Sequence, residues 1–155
     1  MKVFISHADK DKEPAIRFRT ELESVGATVN LLTYEIDPNK TVIEKIKQGI
    51  KSCDLGLILW TKNSRKSEWV IQEVGALAIL DKPIFVILDK KTHPPRGMAE
   101  GKHYLKLDDE TSIGRLKEWV SNETVKKSTQ NFVLAVVVIL IGIGIISAIF
   151  SMFKK

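Results

Sequence analysis

The chain has 155 residues, a formal net charge of +5 and a single cysteine. That length holds one domain of ordinary size, and the lone Cys53 excludes an internal disulfide and a multi-cysteine metal site while suiting a reducing compartment. Two of the five excess charges are the terminal Lys154 and Lys155, so the rest of the chain is only mildly basic, without long basic runs, which argues against nucleic-acid binding.

In chain order, "VFI" (Val3 to Ile5) predicts a first strand, with "SHADKDKEP" as the loop after it. Ala15, Phe18, Leu22 and Val25 recur at helical spacing and end at Gly26. "TVNLL" (Thr28 to Leu32) predicts a second strand, and "TYEIDPNK" a loop that turns at Pro38 and Asn39. Thr41 caps a helix carrying Val42, Ile43, Ile46 and Ile50. "LGLIL" (Leu55 to Leu59) is a fully apolar third strand, "NSRKSEWVIQEVGALAIL" opens as a turn and becomes a helix, and "IFVIL" (Ile84 to Leu88) is a fourth strand. "HYLKL" (His103 to Leu107) alternates in the manner of an edge strand. Ile113, Leu116 and Val120 mark a last short helix, and residues 121–131 read as a polar linker.

Residues 132–153, "FVLAVVVILIGIGIISAIFSMF", carry no charge. As a helix they extend about 33 Å, enough to cross a hydrocarbon core of about 30 Å. This predicts a single transmembrane helix after a domain of residues 1–120. No hydrophobic leader follows Met1, so the expected arrangement keeps that domain in the cytoplasm and sends only a two-lysine tail across the lipid bilayer. Lys126 and Lys127 are placed to rest on anionic lipid.

Strands and helices alternate five times, and the third and fourth strands are apolar enough to be buried on both faces. The expected fold is therefore α/β: a flavodoxin-like three-layer sandwich with a five-stranded, mainly parallel sheet of order 2-1-3-4-5. Binding loops then lie at the carboxyl ends of the strands, which puts Ser6, His7, residues 33–39, 60–66 and 89–101 on one edge.

One residue in the third helix breaks the apolar pattern. With Trp69 at zero and about 100° per residue, Val70, Ile71, Val74, Leu77 and Ala78 fill an arc from about 80° to 200°. Glu73 falls near 40°, beside the indole and away from the polar side marked by Gln72. Such a carboxylate is either partly desolvated in a cleft, with a raised pKa, or paired with a cation such as Lys45 or Lys82. The pattern alone leaves both open.

"VFISHADKDK", "YEIDPNKTVIEKIKQGI", "CDLGLILWTKNSRKSEWVIQEVGAL" and "KPIFVIL", in this order and spacing, resemble a Toll/interleukin-1 receptor (TIR) domain of the prokaryotic kind over residues 1–120. The resemblance implies the same five-stranded fold. In enzymatic TIR domains a glutamate four residues after a tryptophan, in a Ser-x-Trp context, supports cleavage of NAD between ribose and nicotinamide; Ser67, Trp69 and Glu73 match that pattern. By this resemblance Glu73 is the catalytic carboxylate, and NAD is a substrate, with no cofactor or metal required. Trp69 stacks on the substrate or shapes the pocket, or is a buried structural tryptophan. Ser6 and His7 contact ribose or phosphate, or make loop hydrogen bonds. Glu35 and Asp37 bind nucleotide, bridge neighbouring domains, or are solvated loop charges. The loop usually has glycine after its proline; here Asn39 follows Pro38, and asparagine tolerates the left-handed conformation the turn requires.

The resemblance carries a rival reading as well. Many TIR domains catalyse nothing and assemble with other TIR domains through the loop after the second strand, here Thr33 to Lys40 with Pro38 and Asn39 at its turn. A membrane anchor suits such a scaffold, because tethering raises local concentration, and Gly144 and Ala148 form a small-xxx-small pair in the span. A third reading makes the span itself a membrane-disrupting effector. In each case the chain has no segment large enough to sense a stimulus, so an unidentified activating partner or small signal is expected. His7, His93 and His103 lack ligand-spaced partners, so no metal is expected. By resemblance, the setting is antiviral defence or signalling.

Overall fold

The computed structural model describes residues 1–31, 41–97 and 103–152. Strands β1 (Lys2–Ser6), β2 (Thr28–Leu31), β3 (Leu55–Trp60), β4 (Ile84–Leu88) and β5 (His103–Lys106) form one sheet in the order β2-β1-β3-β4-β5. Every neighbouring pair is parallel, with Val3 opposite Leu55 and Val29, and Leu57 opposite Phe85. Helices α1 (Lys12–Glu23), α2 (Val42–Ser52), α3 (Glu68–Ile79) and α4 (Glu110–Met152) complete the order, with single 3-10 turns at Asp9–Asp11 and Ser64–Lys66. The expected fold class is the observed one.

The sheet is covered on both sides because its central strands have no polar face to leave wet. Side chains alternate along β1. Val3 and Ile5 face one layer, where Ala15, Phe18 and Leu22 of α1 meet Ile113, Leu116 and Val120 of α4. Phe4 faces the other, where Ile46 and Ile50 of α2 meet Val70, Val74 and Leu77 of α3. Cys53 lies buried in this second layer as a free thiol, and burial pushes its pKa up. The outer strands are less covered, as edge strands are: β2 alternates exposed and half-buried residues, and β5 is mostly exposed.

Local chemistry sets the boundaries. The Thr41 hydroxyl accepts from the Glu44 amide (3.2 Å) while Glu44 accepts from the Thr41 amide (2.8 Å), a reciprocal cap that starts α2. Past the end of α1 the chain turns at Gly26, whose φ of 86° is open to glycine without steric cost. Gly56 in β3 serves a different purpose. A methyl group there would lie 2.6 Å from Cδ1 of Leu77, so its absence is what allows α3 to pack this closely on the sheet.

Two compact units divide the chain, Met1–Ser121 and Asn122 onward. The sequence suggested a short last helix and a polar linker. Instead α4 is helical through residues 121–131, where neither proline nor glycine occurs to stop it. In the second unit, residues 132–134 and 136–141 expose their apolar side chains. Among the described residues α4 is the one helix long and apolar enough to cross a membrane, and none of its most apolar window is buried.

Candidate active site

The carboxyl edge of the sheet brings together residues far apart in sequence. Ser6 ends β1 and Trp60 ends β3, the strand hydrogen-bonded beside it. Helix α3 follows the β3 loop and is phased by its cap: the Ser67 hydroxyl accepts from the Val70 amide (3.4 Å). With the helix begun there, Val70, Glu73, Val74 and Leu77 all face inward.

Glu73 is only 3% exposed. Its Oε2 accepts a hydrogen bond from the Ser6 hydroxyl at 2.5 Å, a contact across 67 residues of chain. Its Oε1 is buried without a partner among the described residues. Burial raises its pKa to about 7, while the Ser6 hydrogen bond favours the charged form and works the other way. The alternative of an ion pair does not hold among the described residues. Lys82, one of the proposed partners, instead donates to the carbonyls of Cys53 (2.7 Å) and Lys51 (3.1 Å), where it closes the end of α2. Glu73 is thus a carboxyl group in a dry place, poised between its two protonation states near neutral pH, with one oxygen uncommitted.

His7 follows Ser6 and is buried rather than solvated. Burial lowers its pKa, against the raising effects of the Ile5 carbonyl, Asp9 and Asp11, so the imidazole is neutral at pH 7. Trp69 is 39% exposed, which rules out the reading of a buried structural tryptophan. The helical wheel placed Ile71 in the buried arc, but it is 51% exposed. The inward face is centred nearer 90° than the wheel arc suggested, so Ile71 lies beyond its margin. Glu35, Asp37, Pro38 and Asn39 lie outside the described residues.

A second cluster at the same edge was not anticipated. Asp11 is buried, and accepts from the Thr61 hydroxyl (2.6 Å), the Asn63 amide side chain (2.7 Å) and the Ser64 hydroxyl (3.2 Å). Thr61 in turn accepts from the backbone amides of Asn63 (3.0 Å) and Ser64 (3.2 Å), and Ser64 also donates to the Leu59 carbonyl. This network ties the loop after β1 to the loop after β3 and so fixes the approach to α3. Its sequence signal is the short polar Thr61, Asn63 and Ser64 of "TKNS" directly after an apolar strand. Nothing local identifies Asp11 as the acceptor.

No described group of His, Cys, Asp or Glu is arranged to hold a metal ion. Chemically, the site offers a desolvated carboxylate steadied by a hydroxyl, which suits stabilisation of a positively charged carbon centre.

The description "TIR domain" belongs to the family model that matches residues 3–119. Among solved structures, the Clostridium botulinum CMP N-glycosidase BcmB superposes with a TM-score of 0.56 at 21% identity, covering 75% of this chain and 98% of that one. The sugar isomerase domain of the RpiR transcription factor from Sphaerobacter thermophilus gives a TM-score of 0.54 at 12% identity, over 83% of this chain and 78% of that chain. At these identities the two structures establish a shared fold. Among curated protein sequences none matches.

Proposed function

The chain belongs to the TIR domain family, and from that membership and the buried glutamate we propose that it cleaves NAD at the nicotinamide–ribose bond while anchored to a membrane. The observation that carries the proposal is Glu73, buried and, among the described residues, bonded to Ser6 alone with one oxygen unpaired. Breaking an N-glycosidic bond leaves an oxocarbenium-like ribose. Nicotinamide departs from a ring nitrogen that is already cationic, so no strong general acid is required. The ionised Glu73 either stabilises the sugar cation or traps it covalently, as in retaining glycoside hydrolysis. Water then takes the ribose and releases ADP-ribose and a proton; attack by a nucleophile of the substrate itself gives a cyclic product.

Ser6 is the positioning group in this scheme, holding Oε2 while Oε1 meets the sugar. His7, neutral at the strand end, is a hydrogen-bonding contact for ribose or phosphate. Trp69, half-exposed one turn before Glu73, offers a stacking surface at the rim. In this reading Glu35 and Asp37 are assigned to the nucleotide and Pro38 and Asn39 to the assembly loop, all four outside the described residues. The activity named for the Clostridium botulinum enzyme concerns an N-glycosidic bond too, which supports the reaction class. Helix α4 supports a single-pass anchor, with residues 1–120 on the cytoplasmic side, 121–131 joining domain to span, and 132–153 in the bilayer.

A second reading keeps the anchor and dispenses with catalysis, leaving a scaffold that gathers other TIR domains. The exposed apolar side chains Trp69, Ile71, Ile79 and Leu80 favour it, since a helix with this much uncovered apolar surface suits contact with another molecule. The full chain in liposomes, incubated with NAD at increasing protein density, separates the two. Release of nicotinamide that falls at least about 100-fold in Glu73→Gln supports the enzyme. Wild-type protein inactive at every density leaves the scaffold.

A further inference from the structure

On the flank of α3 away from Glu73, a cavity of about 160 Å³ lies between the helix and the loop after β4, lined by Trp60, Ile71, Val74, Gly75, Pro95 and Arg96. We propose that this cavity binds a small anionic molecule with one planar ring, the ring in the cavity and its carboxylate or phosphate on Arg96. Size selects the ring: an apolar cavity of about 150 Å³ accepts benzene. Trp60 has already committed its indole N–H to the His93 carbonyl (3.1 Å), so what it adds to the wall is apolar. Ile71, Val74 and Pro95 extend that surface, and Arg96 is the lining residue that carries a charge.

Charge selects the anion. The described residues of the loops after β3 and β4, which meet where the Asp89 amide reaches the Trp60 carbonyl (3.4 Å), include Lys62, Arg65, Lys66, Lys90, Lys91 and Arg96 against the one acid Asp89. Lys90 pairs with Asp108 (3.6 Å); among the described residues no ion pair engages the other five. A mouth of this sign draws anions, and a planar guanidinium matches carboxylate and phosphate in two-point geometry. Val74 lines the cavity and adjoins Glu73 in sequence, so an occupant bears on the helix that holds the carboxylate. The proposal needs no turnover and stands apart from NAD cleavage.

The test is a titration of the full chain in neutral detergent, with valine methyls labelled and the Val74 resonances followed by NMR. Benzoate and phenyl phosphate present the two anionic groups, and benzamide presents the ring without charge. Saturable Val74 shifts with at least one anion are expected, with benzamide about tenfold weaker or more. Arg96→Gln should weaken the anion about tenfold and leave benzamide unchanged. Ile71→Asp, at an exposed position that tolerates the change in folding, should abolish the anion response. Absence of a saturable shift with both anions, equal affinity for benzamide, or binding that survives Ile71→Asp would each overturn the proposal.

Discussion

Glu73→Gln should alter how stability depends on pH more than it alters stability itself. In the folded protein the Glu73 carboxyl titrates near 7 instead of 4.5 because burial opposes its charge. Between those values the unfolded chain has lost this proton and the folded chain keeps it, so raising the pH favours unfolding. The stabilisation is complete below about 4.5 and is lost as pH passes through about 7. At about 1.4 kcal/mol per pH unit, the gap is worth about 3 kcal/mol. Glutamine keeps the size and an acceptor for the Ser6 hydroxyl but does not titrate, so the variant lacks this decline. Urea unfolding of the full chain in neutral detergent, followed by tryptophan fluorescence from pH 4.5 to 8, gives the comparison. The wild type should lose about 3 kcal/mol relative to Glu73→Gln across that range, since other groups and α4 cancel in the difference. Parallel stability curves would refute the claim that Glu73 is held in a dry site.

Three further substitutions follow from the same contacts. Ser6→Ala removes the hydrogen bond that favours the charged carboxylate, so the Glu73 titration should move to higher pH, observable by ¹³C NMR of the carboxyl carbon. Asp11→Ala leaves the buried Thr61 hydroxyl and the half-buried Asn63 side-chain amide without their acceptor, while Ser64 keeps the Leu59 carbonyl, and should cost about 2–4 kcal/mol in urea unfolding. Gly56→Ala forces a methyl group against Leu77 and should cost about 1–3 kcal/mol, read as a lowered melting temperature.

The fold was readable because its signals are local. Apolar runs such as Leu55 to Leu59 cannot be solvated on either face, so they specify a covered central strand, and their alternation with amphipathic helices specifies parallel pairing. The inward turn of Glu73 was readable for a similar reason, since helical spacing alone puts it near Val70 and Leu77. Its partner was not. Ser6 was marked as a strand-end residue facing substrate, and only the pairing of β1 beside β3 brings its hydroxyl to Glu73. Asp11 was passed over because its three donors sit about 50 residues away across the strand edge. The exposure of Ile71 depends on how α3 is rotated against the sheet, which its own sequence does not contain. The helical state of residues 121–131 was not legible for a simpler reason: polarity marks a segment as solvated without deciding whether it is helical.

The pH dependence of nicotinamide release, measured with full chain in liposomes at NAD well below KM so that the free protein's ionisation is read, bears most directly on the role given to Glu73. If the ionised carboxylate meets the sugar cation, the rate should rise about tenfold per pH unit below 7, level off above it, and disappear in Glu73→Gln. A rate that is flat from pH 5 to 8, or one that survives the glutamine substitution, would contradict the account.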